Sequence, residues 1–285
     1  MQVALIQLDC KINRASGNMR RAQRYVEQAA AQGADLVCLP ESFLASGNVL
    51  EVASVAVTLP GPELDELCAL ARRCGVYLLA GLFEREGLDC YSSAVLIGRD
   101  GQLCARYRRM HCFDMERQYL RCGDSPCCVD TEFGRLGLIL GYDLNFPEAC
   151  RALYQQGAEL LCCLALIPEQ YAYVTHALLR ARAIENQCYV LFASGVGANV
   201  YAGFSYMGRS AVWADPLYLE EERFDFVDGQ EQLLDMGAAE GCALVSLAPE
   251  RLRRYRQTRS LMGDTRWEAY ATPTTPNARL AAAGA

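Results

Sequence analysis

Short apolar runs alternate with helix-patterned segments along most of the chain, and this constrains the fold more than any other feature. Strand-like runs occupy Val3–Leu8, Leu36–Leu39, Tyr77–Phe83, Ser93–Ile97, Leu136–Leu140, Leu160–Leu164, Tyr189–Ser194 and Ala243–Leu247. Between them, the spacing predicts helices at Asn18–Ala31, Glu63–Arg73, Pro147–Gln156, Val174–Asn186 and Pro249–Gln257. Such runs are too short for buried helices, and their alternation with amphipathic helices points to an α/β layered domain. No repeat, low-complexity block or charged linker divides the first 260 residues. The expected organisation is one domain over 1–260 followed by a C-terminal extension, 261–285. That extension is expected to be partly disordered or docked on a partner subunit.

Charge and cysteine content narrow the function. The formal charge is −7, which disfavours nucleic acid and anionic membranes as partners. No apolar run is long enough to span a bilayer. The N-terminus enters a strand-like run with no basic leader before it, so the expected location is cytoplasmic. Fifteen cysteines would suggest a disulfide scaffold in a short secreted chain. Here many lie inside apolar runs (Cys38, Cys162, Cys163, Cys188), where a thiol behaves as a small hydrophobe. Pairs such as Cys127-Cys128 and Cys162-Cys163 are adjacent rather than spaced for a metal, and only His111 and His176 offer imidazoles. No metal site is expected. All but one of the 27 basic residues are arginine, Lys11 being the exception.

The segment Gly137-Leu138-Ile139-Leu140-Gly141-Tyr142-Asp143-Leu144-Asn145-Phe146-Pro147-Glu148 reads as a strand, a sharp turn and the start of a helix. It resembles the nucleophile elbow of the nitrilase, or carbon–nitrogen hydrolase, superfamily, whose members read Cys-Tyr-Asp-x-x-Phe-Pro-Glu here. Four further stretches fit the same family in order. Leu39-Pro40-Glu41-Ser42-Phe43 is similar to the stretch carrying the general base, which makes Glu41 the base candidate. Ala105-Arg106-Tyr107-Arg108-Arg109-Met110-His111-Cys112-Phe113-Asp114 resembles the Tyr-Arg-Lys-x-His-x-Phe stretch and places Arg109 at the lysine. Glu116 falls where many members carry a supporting glutamate. Arg180-Ala181-Arg182-Ala183-Ile184-Glu185-Asn186-Gln187-Cys188-Tyr189 resembles the Arg-Ala-x-Glu-Asn helix end, with Gly208-x-Ser210 and Asp215-Pro216 following. The resemblance spans roughly residues 1 to 260.

Amide or nitrile hydrolysis through a covalent intermediate needs a soft nucleophile, a base for its proton, and a cation or N–H facing the oxyanion. The resemblance implies cysteine, glutamate and lysine in those roles, with the backbone N–H after the cysteine. Carried over, Glu41 and the Tyr142 N–H remain, Arg109 replaces the lysine, and Gly141 replaces the nucleophile. Arginine is planar, bulkier and never a proton donor at neutral pH. A bidentate pair between Arg109 and Glu41 or Glu116 is the expected outcome. Glycine has no side chain to acylate and relaxes the strain of an elbow. Cys163, near a strand's carboxyl end, is the best substitute thiol, although a buried structural role is the simpler reading. Cys112 is expected to point away from the site, and Cys150 belongs to the following helix. His111 is expected to be structural, and His176 a surface or packing residue.

The resemblance implies a four-layer α-β-β-α sandwich, no cofactor and a homo-oligomer, dimer or higher, paired through the helices after the elbow and near Arg180–Asn186. The segment Arg266–Thr272 is a candidate for crossing to a neighbour. Substrate specificity is expected from the loops Ser42–Ala53 and Pro168–Val174. The functional expectation is a catalytically impaired family member that binds a small amide-like or carboxylate ligand, or serves a regulatory or structural role. The alternative is an active hydrolase of linear amides, ω-amides or N-carbamoyl compounds working by a non-standard route.

Overall fold

A computed structural model describes residues 1–215 and 231–270. Two mixed sheets stack face to face, and helices cover each outer face. The first elements are β1 (Gln2–Gln7), α1 (Ala15–Ala31), β2 (Leu36–Cys38), α2 (Val52–Val55), β3 (Val57–Thr58) and α3 (Pro62–Cys74). A long hairpin, β4 (Tyr77–Glu86) and β5 (Asp89–Ile97), then leads into β6 (Leu103–Arg108). The second half contains β7 (Cys127–Thr131), β8 (Gly134–Leu140), α4 (Pro147–Gln155), β9 (Leu160–Ala165), α5 (Ala172–Glu185) and β10 (Tyr189–Ser194). It continues with β11 (Val196–Asn199), β12 (Phe204–Met207), β13 (Ala211–Trp213), β14 (Gln232–Asp235), β15 (Gly241–Ser246) and a helix over Pro249–Thr258.

One sheet runs β15-β1-β2-β4-β5-β6 with β3 beside β4, and the other runs β14-β13-β10-β9-β8-β7. Strand alternation explains the layers, because successive side chains point to opposite faces. In β9, Leu160, Cys162 and Leu164 join Val3, Leu5, Leu36, Leu138 and Leu191 in the core between the sheets. Their neighbours Leu161, Cys163 and Ala165 pack with Cys150, Leu153 and Leu179 under α4 and α5. Ala4 and Ile6 of β1 face Met19, Val26, Leu67 and Leu70 of α1 and α3. The result is the α-β-β-α order that the resemblance implied, with both sheets buried on two faces. Near-continuous apolar strands follow from that burial.

Every expected strand and helix is present, with ends shifted by a few residues. Seven further strands appear among the described residues, among them β6 and β7 at the sheet edges and the β11–β12 hairpin. Beyond 260, Leu261–Asp264 and Trp267–Tyr270 form short helices. Residues from 271 onward, including part of the Arg266–Thr272 segment, lie outside the described residues.

Candidate functional site

The site is assembled from three strand ends that meet where the two sheets adjoin. Glu41 follows β2 in a turn whose backbone is pinned to β4: the Leu39 N–H donates to the Leu79 carbonyl at 2.8 Å and the Phe43 N–H to the Gly81 carbonyl at 3.3 Å. The approach is close enough that a Cβ on Gly81 would lie 2.5 Å from the Glu41 Cα. Only glycine lets the base-bearing turn sit against β4 in this way.

Arg109 lies one residue beyond β6, and its N–H donates to the Ser92 carbonyl at 2.8 Å. Its guanidinium bridges two carboxylates. Nη1 donates to Glu41 Oε1 at 2.9 Å, and Nη2 donates to Glu116 Oε2. The Ser92 hydroxyl donates to the same Glu41 oxygen at 2.6 Å. Glu116 sits in a single turn, Asp114–Gln118, and its carboxylate also accepts from the Phe113 N–H at 2.7 Å. Arg109 and Glu41 are 4% and 5% exposed, so little solvent screens the pair. Burial pushes the Glu41 carboxyl above its ordinary range, opposed by the Arg109 charge and reinforced by Glu116. Burial also disfavours the Arg109 cation, but Glu41 and Glu116 outweigh it and hold the guanidinium above its usual value. The expected bidentate pair with a single glutamate is therefore corrected to a bridge. The two glutamates stand on opposite sides of the arginine, so one planar fork reaches both.

The elbow is built around Asp143. This fully buried carboxylate accepts from the Tyr107 hydroxyl at 2.6 Å, the His111 N–H at 3.1 Å and the Leu140 N–H at 3.2 Å. His111 Nδ1 lies 2.7 Å from it, and the imidazole stacks on Phe146 with ring centroids 3.7 Å apart. From the other side, Arg182 donates from Nε and Nη2 to the Leu144 carbonyl, at 3.2 and 3.1 Å. Pro147 then opens α4, where its missing N–H costs nothing. His111 is structural, as expected.

At the centre of the turn Gly141 adopts φ +36°, a left-handed conformation that glycine tolerates best. A Cβ here would lie 2.5 Å from Glu41 Oε2 and 3.6 Å from Arg109 Nη1. The carboxylate thus occupies space that a side chain at 141 would need.

Of the thiols considered as substitutes, Cys163 comes near this point, where the Gly141 N–H and the Glu41 charge both act on its sulfur. Cys163 lies under α4 and α5, and burial pushes its thiol far above the ordinary value. Cys150 is in the same helix-side layer. Cys112, in coil rather than on a strand, packs with Phe83, Cys90 and Leu120, and its sulfur is 3.3 Å from that of Cys122. His176 packs beside Trp213, with ring centroids 6.5 Å apart. Among the described residues, no group of His, Cys, Asp and Glu side chains is arranged to hold a metal ion.

Above the cluster opens a cavity of about 590 Å³, within the range of small-molecule sites. Glu41, Arg109, Glu116, Gly141 and Tyr142 all line it. Both expected loops contribute, through Asn48 and Leu50 and through Pro168 and Tyr171. Sequence reasoning missed Ser92 and the β11–β12 hairpin, which supplies Tyr201, Phe204 and Tyr206. The aromatic-rich run between Asn199 and Met207 was the available signal for the hairpin.

The chain belongs to the carbon–nitrogen hydrolase family, whose model matches residues 2–216. It is 34% identical over 208 residues to the omega-amidase NIT2 of Homo sapiens, covering 68% of this chain and 74% of that protein. A deaminated glutathione amidase from Synechocystis is 32% identical over 260 residues, covering 84% of this chain and 89% of its own length. Among solved structures, Nit3 of Saccharomyces cerevisiae superposes with a TM-score of 0.79 at 25% identity, covering 92% of this chain and 94% of that one. A superfamily protein from Xanthomonas campestris, with an arsenic adduct in its active site, gives 0.82 at 25% identity over 93% of this chain and 97% of its own.

Proposed function

We propose that this carbon–nitrogen hydrolase homologue has lost thiol-based hydrolysis and kept its pocket as a small-molecule binding site. One observation carries the reading. Gly141 stands at the apex of an intact elbow, and the Glu41 carboxylate has settled into the volume of the missing side chain. A base needs a proton to take, and here Glu41 is held by Ser92 and Arg109, while the Cys163 thiol that feels its charge is buried in the helix-side layer and pushed far above its ordinary value. Arg109 keeps the positive charge but spends it on two carboxylates, which leaves little to stabilise an oxyanion. The open cavity favours ligand binding over a purely structural role. The reading extends to a domain over 1–260, a homo-oligomer paired through α4 and α5, and a cytoplasmic location.

Ammonia release from a panel of linear amides, ω-amides and N-carbamoyl compounds tests the proposal. The wild-type chain is expected to be silent, and Gly141→Cys with Arg109→Lys is expected to restore turnover. Wild-type turnover that disappears in Glu41→Gln would overturn the reading and mean that the site activates water.

A further inference from the structure

We propose that the pocket selects ligands by charge, admitting neutral amides and organic ammonium ions and excluding carboxylates. The inference rests on the small-molecule binding function proposed above and specifies what that pocket takes. It narrows the amide-like or carboxylate ligand that the sequence suggests.

The floor sets the sign. Among the described lining residues Arg109 is the only cation, while Glu41, Asp114 and Glu116 are acidic. Arg109 is itself flanked by two of those carboxylates. An incoming carboxylate would lose its hydration and meet a floor whose one positive group is already neutralised, so nothing offsets the desolvation. A carboxamide differs, because its N–H groups can donate to Glu41 or Glu116 and its carbonyl can accept without a charge to neutralise.

The walls reinforce the choice. Phe113 lies 5.0 Å from Tyr142 and 6.0 Å from Tyr171 between ring centroids, each pair edge-to-face. Tyr201 and Phe204 stand on the hairpin that closes the cavity elsewhere. Phe113, Tyr171 and Tyr201 remain substantially exposed, so their faces are available to a ligand. Aromatic faces attract an ammonium group and repel an anion. An acidic floor beneath such rings favours the same sign twice.

Calorimetric titration of the full-length wild-type chain with three probes of similar shape, butyramide, butylammonium and butyrate, tests the inference. Butyramide and butylammonium are expected to bind about tenfold or more tightly than butyrate, the factor expected of one unmatched buried charge. Tyr171→Leu, a change on the exposed rim, should weaken butylammonium about threefold more than it weakens butyramide. Glu116→Ala should release one side of Arg109 and raise butyrate affinity about tenfold. Butyrate binding to wild type as tightly as butyramide would overturn the charge selection and leave the binding function standing. Release of ammonia from butyramide with the charge order preserved would overturn the non-catalytic reading alone. Absence of binding by all three probes would overturn both.

Discussion

Replacing Gly141 by alanine should destabilise this chain through two separable effects. The first is local. With φ at +36°, a residue carrying a Cβ pays about 1 kcal/mol for the left-handed conformation. The second is the neighbour: Glu41 Oε2 would stand 2.5 Å from the new methyl. The carboxylate must turn by nearly an ångström at that oxygen to reach ordinary contact, about 3.4 Å. Its other oxygen accepts from Ser92 at 2.6 Å and from Arg109 at 2.9 Å, so turning weakens both bonds. Partial loss of charge-assisted hydrogen bonds in a buried site costs about 1–3 kcal/mol. The expected total is about 2–4 kcal/mol, measured by urea unfolding at fixed protein concentration. A double-mutant cycle separates the parts, because in a Glu41→Ala background only the backbone cost of about 1 kcal/mol should remain. A loss below about 0.5 kcal/mol for Gly141→Ala, or an equal loss in both backgrounds, would refute the claim that Glu41 fills the nucleophile's space.

Asp143→Ala should cost at least about 3 kcal/mol in the same assay, because it strands the Tyr107 hydroxyl and the N–H groups of Leu140 and His111 in the core. A cost under about 1 kcal/mol would contradict its role as the elbow's anchor. Gly81→Ala should be more damaging than a typical overpacked site, roughly 3 kcal/mol or more, since the clash is with the Glu41 backbone and no rotamer relieves it; an unchanged urea midpoint would disprove this. For pH, burial raises the Glu41 carboxyl above the ordinary glutamate value of 4.5. Its contribution to stability is thus fully present below about 4.5 and is lost as pH climbs through the raised folded value. The stability of Glu41→Gln relative to wild type should therefore increase with pH across that window, and an opposite slope would contradict the burial argument. Iodoacetamide should label exposed Cys104 and Cys122 in the native protein well before buried Cys163; comparable labelling of Cys163, read by peptide mass mapping, would reopen it as a nucleophile.

The fold was legible wherever burial on two faces writes a continuous apolar run. The strands β1, β9 and β10 end within a residue or two of the runs that marked them. By contrast, β6 reads Leu-Cys-Ala-Arg-Tyr-Arg, and most of it is exposed or half-buried at a sheet edge, so it has no such run. At three residues, β13 is too short to show a period. The resemblance of the local motifs to the carbon–nitrogen hydrolase family grouped Glu41, Arg109, Glu116 and Gly141, and all four line one cavity. Two features depended on the assembled molecule. Bridging by Arg109 follows from the positions of two glutamates 75 residues apart in sequence, which no local pattern encodes. The occupation of the nucleophile's volume by Glu41 follows from the Gly81 approach and the Ser92 bond, both contributed by the β4–β5 hairpin.

Loss of the thiol mechanism means that this protein forms no acyl intermediate. Intact-mass spectrometry of the wild-type protein, acid-quenched within seconds of mixing with a reactive amide, tests it most directly. The unmodified mass is expected at every time point, with an acyl increment appearing only when Gly141→Cys is combined with Arg109→Lys. A wild-type acyl increment that disappears in Glu41→Gln would contradict it and place a working nucleophile elsewhere in the pocket.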